Sequence, residues 1–327
     1  MDQEQKDILF KARSYRSVLA EGIRLYTNNF RKFFKASWLM ATLYALVGGL
    51  TATLITLKIP AIIVAVISQI QKYHGIFIQP LQHFAWIILA IIGLIIVTIL
   101  VMAVANGTIA NLLKEHQETG SIPTPANWLK PSTKMMGRTV KGVSCTFGIA
   151  ATVIIIETII MTVIEIYNPS STLETPITLI GLMFIVNSLL SLLALPLFYV
   201  LTKYVLGTDK GYWHTLRSSY GLGMRHWGML FLVSFVSILL ITISELIILL
   251  PANILFSANY MAQMGQLYGD PLGMPSYMTP LTYITYVLCF FMLFYAQMLL
   301  MLHNYYAYGS IEAKEQERQQ QKLDILS

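Results

Sequence analysis

Six apolar runs, each about the length of a membrane crossing, constrain this chain more than any other feature. They are Ala36–Leu57, Phe84–Ala105, Gly142–Ile166, Pro176–Leu201, Gly228–Leu250 and Tyr283–Leu302. About 20 apolar residues suffice for a helix to cross the hydrocarbon core. None of the runs contains Lys or Arg, and their only acids are Glu157, Glu165 and Glu245. A backbone in hydrocarbon must satisfy its own hydrogen bonds, so the runs are read as six transmembrane helices. Composition agrees. With 12% charged residues among 327, the chain lacks the polar surface that a soluble domain of this size needs.

Basic residues are segregated by span. Eight Lys or Arg precede span one, five lie in Lys114–Lys141, four in Lys203–Arg225 and three after Gly309. The opposite loops hold only Lys58 and Lys72. The positive-inside rule then puts both termini in the cytoplasm of a multi-pass protein of the cell (inner) membrane. The net charge of +6 is accounted for by this segregation and calls for no nucleic acid. No cleavable leader is expected, because residues 1–35 are polar and lead into a full-length span.

The spans read as three copies of one unit: a basic amphipathic helix in the membrane plane, then a helical hairpin. Repeat one covers about 10–118, repeat two about 119–208 and repeat three about 209–312, with a polar cytoplasmic tail at 313–327. All belong to a single membrane domain. In the first amphipathic segment Tyr15, Leu19, Ile23, Tyr26, Phe30 and Phe33 recur at helical spacing. The second is Trp128–Lys141 and the third Tyr212–Trp227. Arg24, Arg31, Lys32, Arg138, Arg217 and Arg225 are the residues expected to face lipid headgroups, so membrane lipids are the partners implied. A proline follows each odd span, at Pro60, Pro169 and Pro251, where a helix is expected to end or bend.

The stretch Glu21-Gly22-Ile23-Arg24-Leu25-Tyr26-Thr27-Asn28-Asn29-Phe30-Arg31-Lys32-Phe33-Phe34 resembles the lead-in segment of a broad group of bacterial six-span proteins. That group includes the membrane domain fused to some glycerophosphodiester phosphodiesterases. The resemblance covers the layout of nearly the whole chain on a loose motif. It implies a six-span fold and carries no activity or site residues, because the soluble catalytic domain has no counterpart here.

Four polar residues within the spans form the candidate site: Glu157, Glu245, Asn187 and Gln297. An acid at mid-span costs about 2.5–3.5 kcal/mol on insertion scales and is commonly functional. Counted from Arg138 and Arg225, Glu157 and Glu245 are repeat-equivalent, at 19 and 20 residues. Leu50 and Thr51 occupy the same place in repeat one. The glutamates either line a common polar cavity or hydrogen-bond separately to neighbouring helices. Asn187 and Gln297 either join helices or line that cavity. Pro196 is expected to kink span four and free backbone carbonyls.

No metal-ligand spacing, cofactor motif or catalytic motif is present, and neither Cys145 nor Cys289 suggests a disulfide. Methionines in the outer loop Ser257–Thr282 are read as part of a Tyr-rich interfacial segment. Transport or lipid handling through a polar cavity is one functional reading. A non-catalytic membrane scaffold or regulator is the second, and an intramembrane enzyme ranks last. If the glutamates line a transport cavity, Glu157→Gln and Glu245→Gln will impair function while leaving folded protein. Wild-type behaviour of both, and of the double variant, excludes that cavity.

Overall fold

A proline within a helix leaves the carbonyl four residues earlier without its donor, and such a carbonyl shut away from water needs another partner. Two prolines make this the organising problem of the fold. The structure, a computed structural model, describes residues 9–73, 79–123, 133–167, 174–207, 210–269 and 273–326. Trp128 and Pro169 lie outside the described residues, as do the side chains of Lys72 and Glu165.

The described residues are helical, without strands. In chain order the helices are α1 (Tyr15–Tyr73), α2 (Gln79–Thr119), α3 (Thr133–Tyr167), α4 (Glu174–Ala194), α5 (Pro196–Leu206), α6 (Tyr212–Arg225), α7 (Trp227–Ile248), α8 (Leu250–Leu267) and α9 (Met278–Leu326). Six stretches are long and apolar enough to cross a membrane: Tyr15–Ala65, Phe84–Thr119, Thr133–Ile160, Gly181–Leu206, Trp227–Ile248 and Met278–Ile325. Each overlaps one of the six apolar runs, with different bounds.

The helix boundaries correct three expectations. The basic segments before spans one and three are not separate helices. Each is continuous with its span, in α1 and α3, because no Pro or Gly pair interrupts the helix there. Only the third, α6, stands apart, ending at His226. Pro60 lies inside α1, which runs on to Tyr73, and Pro251 sits in the first turn of α8, where a missing N–H costs nothing. Ser257–Thr282, expected as a loop, is helical as far as Leu267.

Two compact units divide the chain. One comprises Phe34–Asn106 and Leu239–Leu299. Its core joins α1, α7, α8 and α9 through Ala252, Tyr286 and Cys289, with Ala52, Ile248 and Phe290 against them. Gly48-Gly49 permits this approach: a Cβ on Gly49 would lie 2.7 Å from Val287 Cγ2 and 3.0 Å from its backbone nitrogen. The Thr56 carbonyl, which loses its donor to Pro60, accepts a hydrogen bond from Asn259 Nδ2 at 2.6 Å. Tyr286 and the Thr56 hydroxyl are 2.7 Å apart beside it.

The other unit comprises Met1–Phe33, Gly107–Ile238 and Leu300–Ser327. Its core is a stretch of α9 beyond span six, in which Leu302–Ile311 are all buried. This stretch binds nearly every other element of the unit. His303 Nδ1 lies 2.7 Å from the Ser237 hydroxyl, and His116 Nδ1 lies 2.8 Å from the Tyr305 hydroxyl. The Arg13 backbone N–H donates to Ser310 Oγ at 2.9 Å. Glu312 accepts from Lys203 at 2.6 Å and from the Tyr199 hydroxyl at 2.5 Å. The segment expected to be a polar tail from residue 313 continues as helix to Leu326.

Packing in this unit also resets the amphipathic face of α1. Val18, Leu19, Gly22, Leu25 and Phe33 are buried, whereas Ile23 and Phe30 are exposed. The helix therefore carries two adjacent apolar stripes. One is covered by protein, and the other faces outward beside Arg24 and Arg31, which are also exposed.

A Cβ on Gly309 would lie 2.6 Å from the Leu9 backbone oxygen. Gly309→Val will therefore cost about 1–3 kcal/mol of stability, the usual range for overpacking. At Gly228, in α7, a Cβ would meet nothing within 4 Å, so Gly228→Ala will gain about 0.5–1 kcal/mol. Thermal unfolding of the two variants in detergent will show shifts of opposite sign.

Candidate functional site

Span four is broken at Leu195, between α4 and α5, because Pro196 cannot donate to the Leu192 carbonyl. The freed carbonyls are taken up by the next elements of the chain. The Trp227 indole N–H donates to Leu192 O at 2.9 Å, and the Tyr220 hydroxyl donates to Leu193 O at 2.8 Å. The break thus holds α6 against span four. Gly223 completes the contact, with a position for Cβ only 2.9 Å from Pro196 Cβ.

The start of α6 is fastened to α3. The Thr146 hydroxyl lies 2.9 Å from the Gly142 carbonyl and 2.6 Å from the Tyr212 hydroxyl. A threonine hydroxyl has one proton, so with that proton on Gly142 O the Tyr212 phenol is the donor. Burial holds this phenol above its ordinary pKa, which keeps it protonated for that role.

Between α3, α4 and α6 lies a cleft of about 740 Å³. Its walls are aliphatic, with Ile149, Val153, Leu190 and Leu197 among them. Its polar groups are few and placed apart. Arg217 and Tyr220 on α6 lie at one margin, and Ser191 and Asn187 lie on α4. Arg217 is exposed and has no carboxylate partner among the described residues. An apolar cleft of this volume with a few separated polar groups is the usual form of a small-molecule site.

The structure pairs the four polar residues of the spans two by two. Asn187 Nδ2 lies 3.0 and 2.9 Å from the two carboxylate oxygens of Glu157, joining α3 to α4. Gln297 Nε2 lies 3.1 Å from Glu245 Oε1, joining α7 to α9. The pairs belong to different units, and each closes within its own hairpin. Hairpin one has a counterpart that sequence reasoning passed over: the Thr51 and Thr98 hydroxyls are 2.9 Å apart. Thr51 occupies the position aligned with the two glutamates, but Thr98 carries no signal of its own among the threonines of the spans.

Glu157 is buried, whereas Asn187, Ser188 and Ser191 are exposed. Both serines satisfy their hydroxyl protons on backbone carbonyls of their own helix, at 2.7 Å. Asn187 uses its amide nitrogen on Glu157 and on Met183 O, and its carbonyl oxygen accepts nothing among the described residues.

Three of the six basic residues expected at headgroups are engaged by protein. Lys32 donates to the Ile122 carbonyl, Arg138 donates to the Tyr204 carbonyl and lies over that ring, and Arg225 pairs with Glu315 at 3.1 Å. Arg24, Arg31 and Arg217 are exposed. Comparison with protein-family models, with curated proteins and with solved structures finds no match, so the reading of this site rests on its geometry.

Glu245 and Gln297 are half-buried; removing one partner from such a pair strands the other, whereas removing both together is cheaper. Glu245→Leu and Gln297→Leu will each lower stability by about 1–3 kcal/mol. The double variant will lose less than the sum of the two, and additive losses in a melting series would show that the pair is not coupled.

Proposed function

We propose that this chain is a multi-pass membrane protein that handles lipid, holding a glycerophospholipid by its phosphate in the cleft between α3, α4 and α6. The observation that carries this reading is the cleft itself. Its aliphatic walls suit an acyl chain, and the exposed Arg217 at its margin supplies a guanidinium for a phosphate. In this reading α6 lies at the cytoplasmic headgroup level, as its place in the basic segment Lys203–Arg225 implies, and both termini are cytoplasmic. The exposed isoleucines of α3, Ile154, Ile155 and Ile156, face acyl chains.

The threefold repeat belongs to the same proposal. The three polar rungs, Thr51–Thr98, Glu157–Asn187 and Glu245–Gln297, support it, because each joins an odd span to the following even span. Kinship with the six-span group resembled by residues 21–34 is likewise proposed, on that segment alone.

The scaffold reading is favoured by a different observation. Both glutamates are bonded within their own hairpins, which is what helix joining requires of them. Lipid analysis separates the two. Protein purified in mild detergent will retain a phospholipid detectable by native mass spectrometry, and Arg217→Gln or Leu190→Trp will lower its occupancy several-fold. An unliganded wild-type protein, or equal occupancy in the variants, favours the scaffold.

A further inference from the structure

The cleft does not stop at Asn187. A second cleft of about 310 Å³ is lined by Ile156, Glu157, Ile160, Leu182 and Val186, and it shares Val153 and Leu190 with the first. The two therefore adjoin along the α3–α4 hairpin, with the Glu157–Asn187 pair where they meet. Resting on the lipid-handling reading above, we infer that the joined clefts form a lateral groove along which phospholipid headgroups move between leaflets, with Glu157–Asn187 as the midway polar station.

The physical problem in such movement is the headgroup. Acyl chains remain in hydrocarbon throughout, but each polar group carried without a partner costs several kcal/mol. A route lowers this cost when polar side chains face lipid along the crossing. Along span four these are Ser191 and, one turn further, Asn187, both exposed. Their order, with Arg217 at the near margin, provides a contact for the phosphate first and hydrogen-bonding groups afterwards.

The chemistry at the station selects among headgroups. Glu157 and Asn187 are held together through the amide nitrogen, which leaves the Asn187 carbonyl oxygen as an open acceptor. The carboxylate behind it is acceptor-rich as well. The station is thus suited to a headgroup that donates hydrogen bonds, through a primary ammonium or hydroxyls. A trimethylated headgroup has no N–H or O–H to offer. The substrates inferred are ethanolamine- and glycerol-type phospholipids, in preference to choline-type ones.

The full chain reconstituted into vesicles tests this. Acyl-labelled fluorescent phosphatidylethanolamine, phosphatidylglycerol and phosphatidylcholine are placed in both leaflets, and the outer label is quenched with dithionite. The wild-type protein is expected to expose inner-leaflet ethanolamine and glycerol probes several-fold faster than the choline probe and than protein-free vesicles. Asn187→Leu is expected to abolish the difference. Because that variant also strands Glu157, Ser191→Leu is measured beside it. Its hydroxyl bonds only to its own helix, so the substitution breaks no contact between helices, and it too is expected to slow the probes several-fold. Rates equal to those of protein-free vesicles, wild-type rates in Ser191→Leu, or equal rates for the three headgroups would each overturn the inference. Retained phospholipid in a protein that moves no probe would sink this inference alone. Absence of retained phospholipid would sink the lipid-handling reading with it.

Discussion

The demand that every backbone carbonyl shut away from water find a donor governs how these helices are joined. Pro60 and Pro196 each withdraw one donor, from Thr56 and Leu192. The replacements come from far along the chain: Asn259 for the first and the Trp227 indole for the second. A local defect thereby becomes a tertiary bond. In span four the break does more than recruit Trp227. The Tyr220 hydroxyl on Leu193 O fixes α6 beside it, and α6 is the third wall of the cleft. The site follows from the way one proline is accommodated.

The same rule applies to the polar side chains of the spans. A glutamate in hydrocarbon is tolerated when a neighbouring amide meets it, and Asn187 and Gln297 do so across their hairpins. The two pairs nevertheless differ in surroundings. Gln297 Oε1 is buried and has no partner among the described residues, whereas Asn187 is exposed and adjoins the large cleft. Chemically similar pairs thus have different reach: one is half-buried on both sides, and the other has an exposed amide beside the groove.

Much of this was legible in the sequence, and the limits have physical causes. The six spans are long-wavelength features, set by composition, and the helices fall where the apolar runs do. Pro196 marked its own break. Its partner Trp227 was invisible, because it lies 31 positions further on, beyond a separate helix. Glu157, Asn187, Glu245 and Gln297 stood out individually as polar residues in apolar runs. Their pairing depends on hairpin register, which no residue within the spans specifies. The amphipathic face that spacing suggests for α1 lies one stripe from the buried one, since both stripes are apolar and only tertiary contact distinguishes them. The stretch after Leu302 is the least legible part of the sequence. Gly309-Ser310 looks like a helix exit, and the glutamates and glutamines beyond it look like a solvated tail. Yet Tyr305, Tyr306, Tyr308 and Ile311 are core residues.

That stretch of α9 has a consequence for biosynthesis. Residues 302–313 leave the ribosome after all six spans, yet Leu9, Arg13, His116, Tyr199 and Ser237, partners from the earlier chain, meet there. Until they arrive, the unit they complete has apolar and polar surfaces prepared but no centre. Closure of this unit therefore waits for the last helix, however early its other elements are made.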